Sequence, residues 1–451
     1  MVIRTVIRQL PIIVCWVALA ACSQAAGPAR LQYVPATNPF LGHSASTWSF
    51  KVVHSFGNRE DGYLPAAALV DVKGVLYGTT RCGGAYATAG CNTTTPYSTG
   101  LDMGGTVYSL TADGKERVLH SFGKPTDGTA PNSSLLDVNG TLYGTTMYGG
   151  ANNYGTLFSI STTSKDYRLL YSFGGETGGQ PVSGLIDVNG KLYGTTFSGG
   201  TYYAKPYHGT IFSVSTNGAH YRVLHNFGNG TDGGDPIAGV IDVQGTLYGT
   251  TSKGGTYGAT CGAFYSACGT AFSISKTGKN YHTIHDFGNG MDGARPAADL
   301  LYVNGMLYGT TALGGVYVKY GSGAPIHGGT VFEMSTNGMN YRVLQSFGHV
   351  PPNGAAIGEA LFAGLIDVNG TLYGVTSRGV AGGSTVFSLS TSGSSFSEYN
   401  LPYGDDEASA SLIAVGGTLY GTTACGGAYG AYSCAPAGYG RGGTVFALVP
   451  Q

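Results

Sequence analysis

Apolar and polar positions alternate in short bursts along most of this chain, and no stretch carries a sustained helical period. A representative unit reads Leu135-Leu136-Asp137-Val138, then Asn139-Gly140, then Leu142-Tyr143-Gly144-Thr145-Thr146. Thr156–Ser161 and Tyr167–Phe173 follow, each with the period of two expected of a strand with one buried face. Asn139-Gly140 predicts a two-residue hairpin, because both positions accept positive φ. Each unit therefore predicts four strands, A to D.

The unit repeats. LYGTT recurs at Leu76–Thr80, Leu142–Thr146, Leu192–Thr196, Leu247–Thr251, Leu307–Thr311 and Leu419–Thr423, with the variant LYGVT at Leu372–Thr376. A glycine-rich loop and a GTVF-like run follow each copy, and a run like YRVLHSFG ends near Gly123, Gly174, Gly228, Gly288 and Gly348. Units recur about every 58 residues, closest to the blades of β-propellers. The last unit, Ser411 to Gln451, stops after strand C, while Trp48–Phe56 at the other terminus matches the missing strand D. If that strand completes the seventh blade, the ring closes and no sheet edge is left open. The expectation is an all-β chain forming one seven-bladed propeller over residues 48–450, with a sandwich or an open β-solenoid as the rival.

The LYGTT, GTVF and HSFG runs together resemble the GloVer tandem-repeat family, in which similar arrays are attached to different surface anchors. That resemblance implies a bacterial exported protein and no settled enzymatic activity. Composition agrees with a turn-rich β-fold: 77 of 451 residues are glycine, 42% are hydrophobic and only 10% are charged. Low hydrophobicity with high net charge marks disorder, and this chain has neither. A net charge of −1 offers no cationic surface for a phosphate backbone, so nucleic acid is not an expected partner.

The first residues read as an address. Arg4 and Arg8 precede an apolar stretch from Leu10 to Ala21, too short to span a bilayer. It ends in Leu19-Ala20-Ala21-Cys22, which resembles the lipobox of bacterial lipoproteins. The expectation is a signal peptide over 1–21, a lipidated Cys22, a flexible tether to residue 47, and anchoring in the cell envelope, most simply the outer membrane. An ordinary secretory signal cut near Ala26 is the rival. Six further cysteines fall in three close pairs, Cys82 with Cys91, Cys261 with Cys268 and Cys425 with Cys434. In an oxidising compartment each pair would close a short loop by a disulfide. Zinc spacing is absent.

Candidate chemistry concentrates on the face that carries the long B–C loops and D–A connections. Those loops are rich in tyrosine, and Tyr86, Tyr148, Tyr203, Tyr257, Tyr317 and Tyr429 are candidate binding residues for glycan or protein. Packing between loops is the bland explanation. At the start of strand A, nearest the axis, the series reads Ala68, Ser134, Gly184, Gly239, Asp299, Gly364, Ser411. Asp299 alone brings a charge, with Arg295 four residues earlier as its expected partner, and Glu333 is a second carboxylate expected near the channel mouth. Repeated Asp-Gly pairs at Asp61, Asp127, Asp232 and Asp292 read as turn caps, with calcium, helped by Asp235, as the rival. His54, His120, His225 and His285 share one repeat position and read as structural. No other cofactor is expected. No G-x-S-x-G, P-loop or H-E-x-x-H motif is present. The leading functional expectation is an envelope-anchored binding or interaction module. A carbohydrate-active hydrolase or lyase using Asp299, and a purely structural envelope protein, are the rivals.

Overall fold

The structure is a computed structural model that describes residues 48–450 except 59, 88–102, 125, 164–165, 203–207, 258–267, 290, 316–327, 349–360, 378–382, 403–407, 409 and 429–441. Seven antiparallel sheets, six of them each built from one repeat, succeed one another round a ring. Blade two shows the pattern, with A at Leu136–Val138, B at Thr141–Tyr148, C at Thr156–Ser161 and D at Arg168–Ser172. Asn139 and Gly140 both have positive φ, 54° and 83°, and the Asp137 carboxylate accepts the Gly140 N–H at 2.8 Å. Blades two and five gain a short fifth strand, Thr129–Pro131 and Ala294–Pro296, where strand B runs on to Tyr148 and Leu313.

The ring closes as the termini imply. Trp48–Ser55 pairs antiparallel with Thr444–Pro450, beside Thr418–Thr423 and Ile413–Val415, and so supplies strand D of blade seven.

The core lies between blades. Seven buried clusters each join two consecutive blades, among them Phe173 and Leu157 of blade two with Phe212 and Leu192 of blade three. Phe56 and Val445 of blade seven meet Leu69 and Tyr108 of blade one in the same manner. Burying both faces of every inner strand explains why so few positions are charged.

The repeat letters have physical reasons. The second threonine of LYGTT shares a buried hydrogen bond with the threonine of the GTVF run in all seven blades, at 2.7–2.9 Å. The first threonine reaches forward to a carbonyl of the next blade, as Thr195 does to Ala238 at 2.7 Å and Thr422 to Ala67 at 3.2 Å across the closure. Val375 stands at this position in blade six and has no hydroxyl to reach with. In six blades a glycine of positive φ opens the GTVF run, with Ser384 in its place in blade six, and a Cβ on Gly209 or Gly269 would sit 2.7 Å from Cδ of the next blade's Pro236 or Pro296. Gly443 stands against Pro65 in the same way, so one contact type runs through the seam.

Candidate functional site

Strand A lies innermost, and its first residues surround the axis. Ala68, Ser134, Gly184, Asp299, Gly364 and Ser411 line a central cavity of about 320 Å³. Small residues are required there because seven strands converge on one line. Residues immediately after the LYGTT-type run, Arg81, Met147, Phe197, Ser377 and Ala424, line the same cavity, so it reaches the face from which the B–C loops leave. Tight A–B and C–D turns occupy the opposite face.

Asp299 is the only carboxylate among the described lining residues. Its Oδ1 accepts the Gly239 N–H at 2.5 Å, and burial raises its pKa while that hydrogen bond pulls it down. Arg295 does not pair with it. The Arg295 guanidinium instead lies 5.7 Å from the Phe362 ring centroid, because the residue before each D–A proline is turned to positive φ, 56° for Arg295. Glu333 is not at the channel mouth. It sits on strand C of blade five, bound by Arg342 of strand D at 2.6 Å. Two polar lining residues escape a motif search. Arg81 follows LYGTT, and Asn132 follows the D–A proline; the other described blades carry Ala66, Val182, Ile237, Ala297 and Phe362 at the Asn132 position. Both repeat columns vary freely in size, so a polar residue in either stands out only beside the cavity. Burial lowers the Arg81 pKa, with Tyr148 partly opposing it.

The tyrosines divide. Tyr86 is exposed, with the Lys124 ammonium 4.9 Å from its ring centroid, and Tyr257 is half-buried. Tyr148 is buried among Tyr63, Cys82, Met103 and Ala130, so it supports the rim from beneath. Tyr203, Tyr317 and Tyr429 lie outside the described residues, as do Cys91, Cys261, Cys434 and everything from Met1 to Thr47, Cys22 included. Cys82, Cys268 and Cys425 are buried at the roots of their loops.

The Asp-Gly motif has an occupation of its own. Asp127 accepts the Gly123 N–H with Oδ1, while its Oδ2 lies 3.0 Å from His120 Nε2. Asp232 with His225 and Asp292 with His285 repeat this at 3.0 and 3.2 Å. A tyrosine of the following blade stacks on each histidine, Tyr167, Tyr281 and Tyr341 at centroid separations of 3.9–4.0 Å. Its hydroxyl donates to the carbonyl of the same aspartate, at 2.8 Å for Tyr167 and 2.6 Å for Tyr281. Asp235 points elsewhere, to Lys253 at 2.9 Å and His208 at 3.2 Å, so Asp232 and Asp235 do not share a site. Among the described residues no cluster of three or more His, Cys, Asp or Glu is arranged to hold a metal.

Three of the seven junctions carry this clasp, and one of the other four keeps its histidine and aspartate but not its tyrosine. Where blade seven meets blade one, Glu116 takes the tyrosine position opposite His54 and Asp61. His54 Nε2 stands 3.5 Å from Asp61 Oδ2, and Glu116 Oε1 is buried without a hydrogen-bond partner. Burial pushes the Glu116 pKa up to about 7; His54 lowers it and Asp61 raises it.

The repeat and the ring meet in one comparison. The Gloeobacter/Verrucomicrobia repeat model matches residues 92–262 and 208–435, most of the chain. This protein belongs to that family. No curated protein sequence matches this member of the Gloeobacter/Verrucomicrobia repeat family. Among solved structures it is similar to the extracellular domain of a putative one-component system from B. thetaiotaomicron, at 8% identity and TM-score 0.51, covering 84% of this chain and 39% of that one. A putative 6-phosphogluconolactonase from Bacteroides uniformis aligns at 13% identity and TM-score 0.44, over 70% of this chain and 84% of that one. Both are likenesses of fold alone. Among the described residues no helix is long and apolar enough to cross a membrane.

Proposed function

We propose that this repeat protein is an exported, envelope-tethered binding module that engages glycan or protein through its long-loop face. The observation that supports this reading is the asymmetry of the ring: the axial cavity reaches the long-loop side, while the short A–B and C–D turns occupy the other. Lipid on Cys22 would hold the ring at an outer membrane, and disulfides 82–91, 261–268 and 425–434 would stiffen three loops and lower the entropy lost on binding. Intact-mass analysis of the membrane fraction, with and without reduction and alkylation, checks both modifications. A glycan array and a pull-down with the exported protein check the binding. Loss of capture in Tyr86→Ala and Tyr257→Ala would support the loop face; no ligand in either assay would sink it.

A hydrolase reading has one observation in its favour, the buried Asp299 on the axis. Glycoside hydrolysis ordinarily uses two carboxylates, and Asp299 is alone among the described lining residues. An Asp299→Asn variant that keeps full activity on any substrate found would remove it from that role.

A further inference from the structure

Beyond the loop face, we propose that the axial cavity is a site for a small primary ammonium with an apolar body, its charge received by Asp299. Asp299 is accessible from the axial space, yet lies deep enough in the ring for burial to raise its pKa. Gly239 donates its N–H to Oδ1, which leaves Oδ2 to the cavity. Among the described residues no cation pairs with this carboxylate: Arg295 turns to the Phe362 ring, and Arg81, in the wall of blade one, has a partner of its own. A carboxylate drawn away from bulk water with no counter-charge is costly, and an entering cation offsets that cost where a neutral or anionic ligand does not. The floor has room for one. A Cβ on Gly184 would stand 3.8 Å from Ser134 Cβ and 4.0 Å from Asp299 Oδ2, so Gly184 keeps a gap open between a hydroxyl-bearing side chain and the carboxylate oxygen. An ammonium group seated there donates to Oδ2 and to the Ser134 hydroxyl. Toward the long loops the wall is formed by Met147, Val182, Phe197 and Ile237, which offer surface to a hydrocarbon body. Phe197 adds an aromatic ring, which suits a cation better than an anion. A volume of about 320 Å³ is at the small end of ligand-sized sites and limits that body to one ring or a short chain.

This inference stands apart from the loop-face reading, and the two fail separately. Titration calorimetry of the full exported protein with phenethylammonium, 2-phenylethanol and 3-phenylpropionate tests it, since the three share a body and differ in charge. Phenethylammonium should bind, and the alcohol and the carboxylate should each bind about tenfold more weakly or worse. Phenethyltrimethylammonium keeps the charge but has no N–H to donate, and should also lose about tenfold. Asp299→Asn should lose about tenfold or more in phenethylammonium affinity, and Gly184→Ala, which fills the gap, about the same. Asp113→Asn, on a C–D turn away from the axis, should lose nothing. Thermal melts confirm that each variant is folded; Gly184→Ala, whose added methyl meets ordinary contact distances, carries the test if Asp299→Asn is not. Equal affinity for the alcohol or the trimethylated cation, undiminished affinity in Asp299→Asn or Gly184→Ala, or no phenethylammonium binding at millimolar concentration overturns the proposal. Macromolecular capture that survives Asp299→Asn leaves the loop face standing by itself.

Discussion

Blades one and two meet through His120, Asp127 and a stacked Tyr167, whereas blades seven and one meet through His54, Asp61 and Glu116. The apolar layer beneath is alike at both junctions: Phe122 and Phe56 are each fully buried and tilted against the ring of the next blade's strand C, Phe158 and Tyr108. The polar layer is not alike. At the ordinary junction the histidine Nε2, both aspartate oxygens and the tyrosine hydroxyl have partners, and an aromatic ring covers the histidine. At the seam a carboxyl replaces that ring, and a buried oxygen is left without a donor. The difference teaches that hydrophobic packing closes the ring, and that the polar clasp is a separate layer which one substitution can alter.

If the cores are equivalent, Phe56→Ala and Phe122→Ala should each cost about 3–5 kcal/mol, the usual range for truncating a buried phenylalanine. Unequal midpoints in denaturant titrations would show that the seam is packed to a different standard. The glycine–proline contact should behave alike as well. Gly443→Ala and Gly269→Ala each add a Cβ against a proline at positive φ, and each should cost about 2–3 kcal/mol. A mild effect at Gly443 alone would make the seam the looser junction.

Exchanging the differing residue tests the polar layer. Glu116→Tyr should stabilise the protein by about 1 kcal/mol at neutral pH, the worth of one aromatic pair, and Tyr281→Glu should install the seam's behaviour at an ordinary junction. The pH dependence has a definite sign. Glu116 has a folded pKa of about 7 against an ordinary 4.5, so the folded state keeps a proton that the unfolded chain releases. The stability it contributes is fully present below 4.5 and is lost as pH rises to about 7. Melting temperatures of wild type relative to Glu116→Gln should therefore fall across that window, and parallel curves would refute the assignment. The smallest effect belongs to blade six. Val375→Thr restores the hydroxyl that six blades use to reach forward, with a gain of about 0.5–1 kcal/mol where it finds a carbonyl.

Ring size, strand order and closure were legible because each repeat carries the same turn and strand letters, and because a run missing from the end stood at the beginning. Asp299 was legible on the axis, since a charge in a column of Ala, Ser and Gly has one physical explanation. Its partner was not. Four residues along a strand suggests proximity, yet positive φ at Arg295 turns that side chain toward Phe362. Glu333 misled for a related reason: strand C faces a neighbouring strand, not the axis. The His–Asp–Tyr clasp was beyond reach, because its three members come from two blades and no spacing within one repeat brings them together. Arg81 and Asn132 stood in columns that vary freely in size, where a polar residue draws no notice until the cavity is seen.

The pairing of Trp48–Ser55 with Thr444–Pro450 has a bearing on how the protein comes into being. Its first strand has no partner until its last has been made, so during synthesis six blades can assemble while the seventh waits. Joining ends so distant in sequence carries the largest loop entropy in the molecule and should be the slowest step of folding. The axial cavity takes its walls from both ends of that order, Ala68 from the first repeat and Ser411 from the last. A chain halted before Thr444 would therefore hold most of a propeller and no enclosed cavity: the axis is walled only in molecules that have finished.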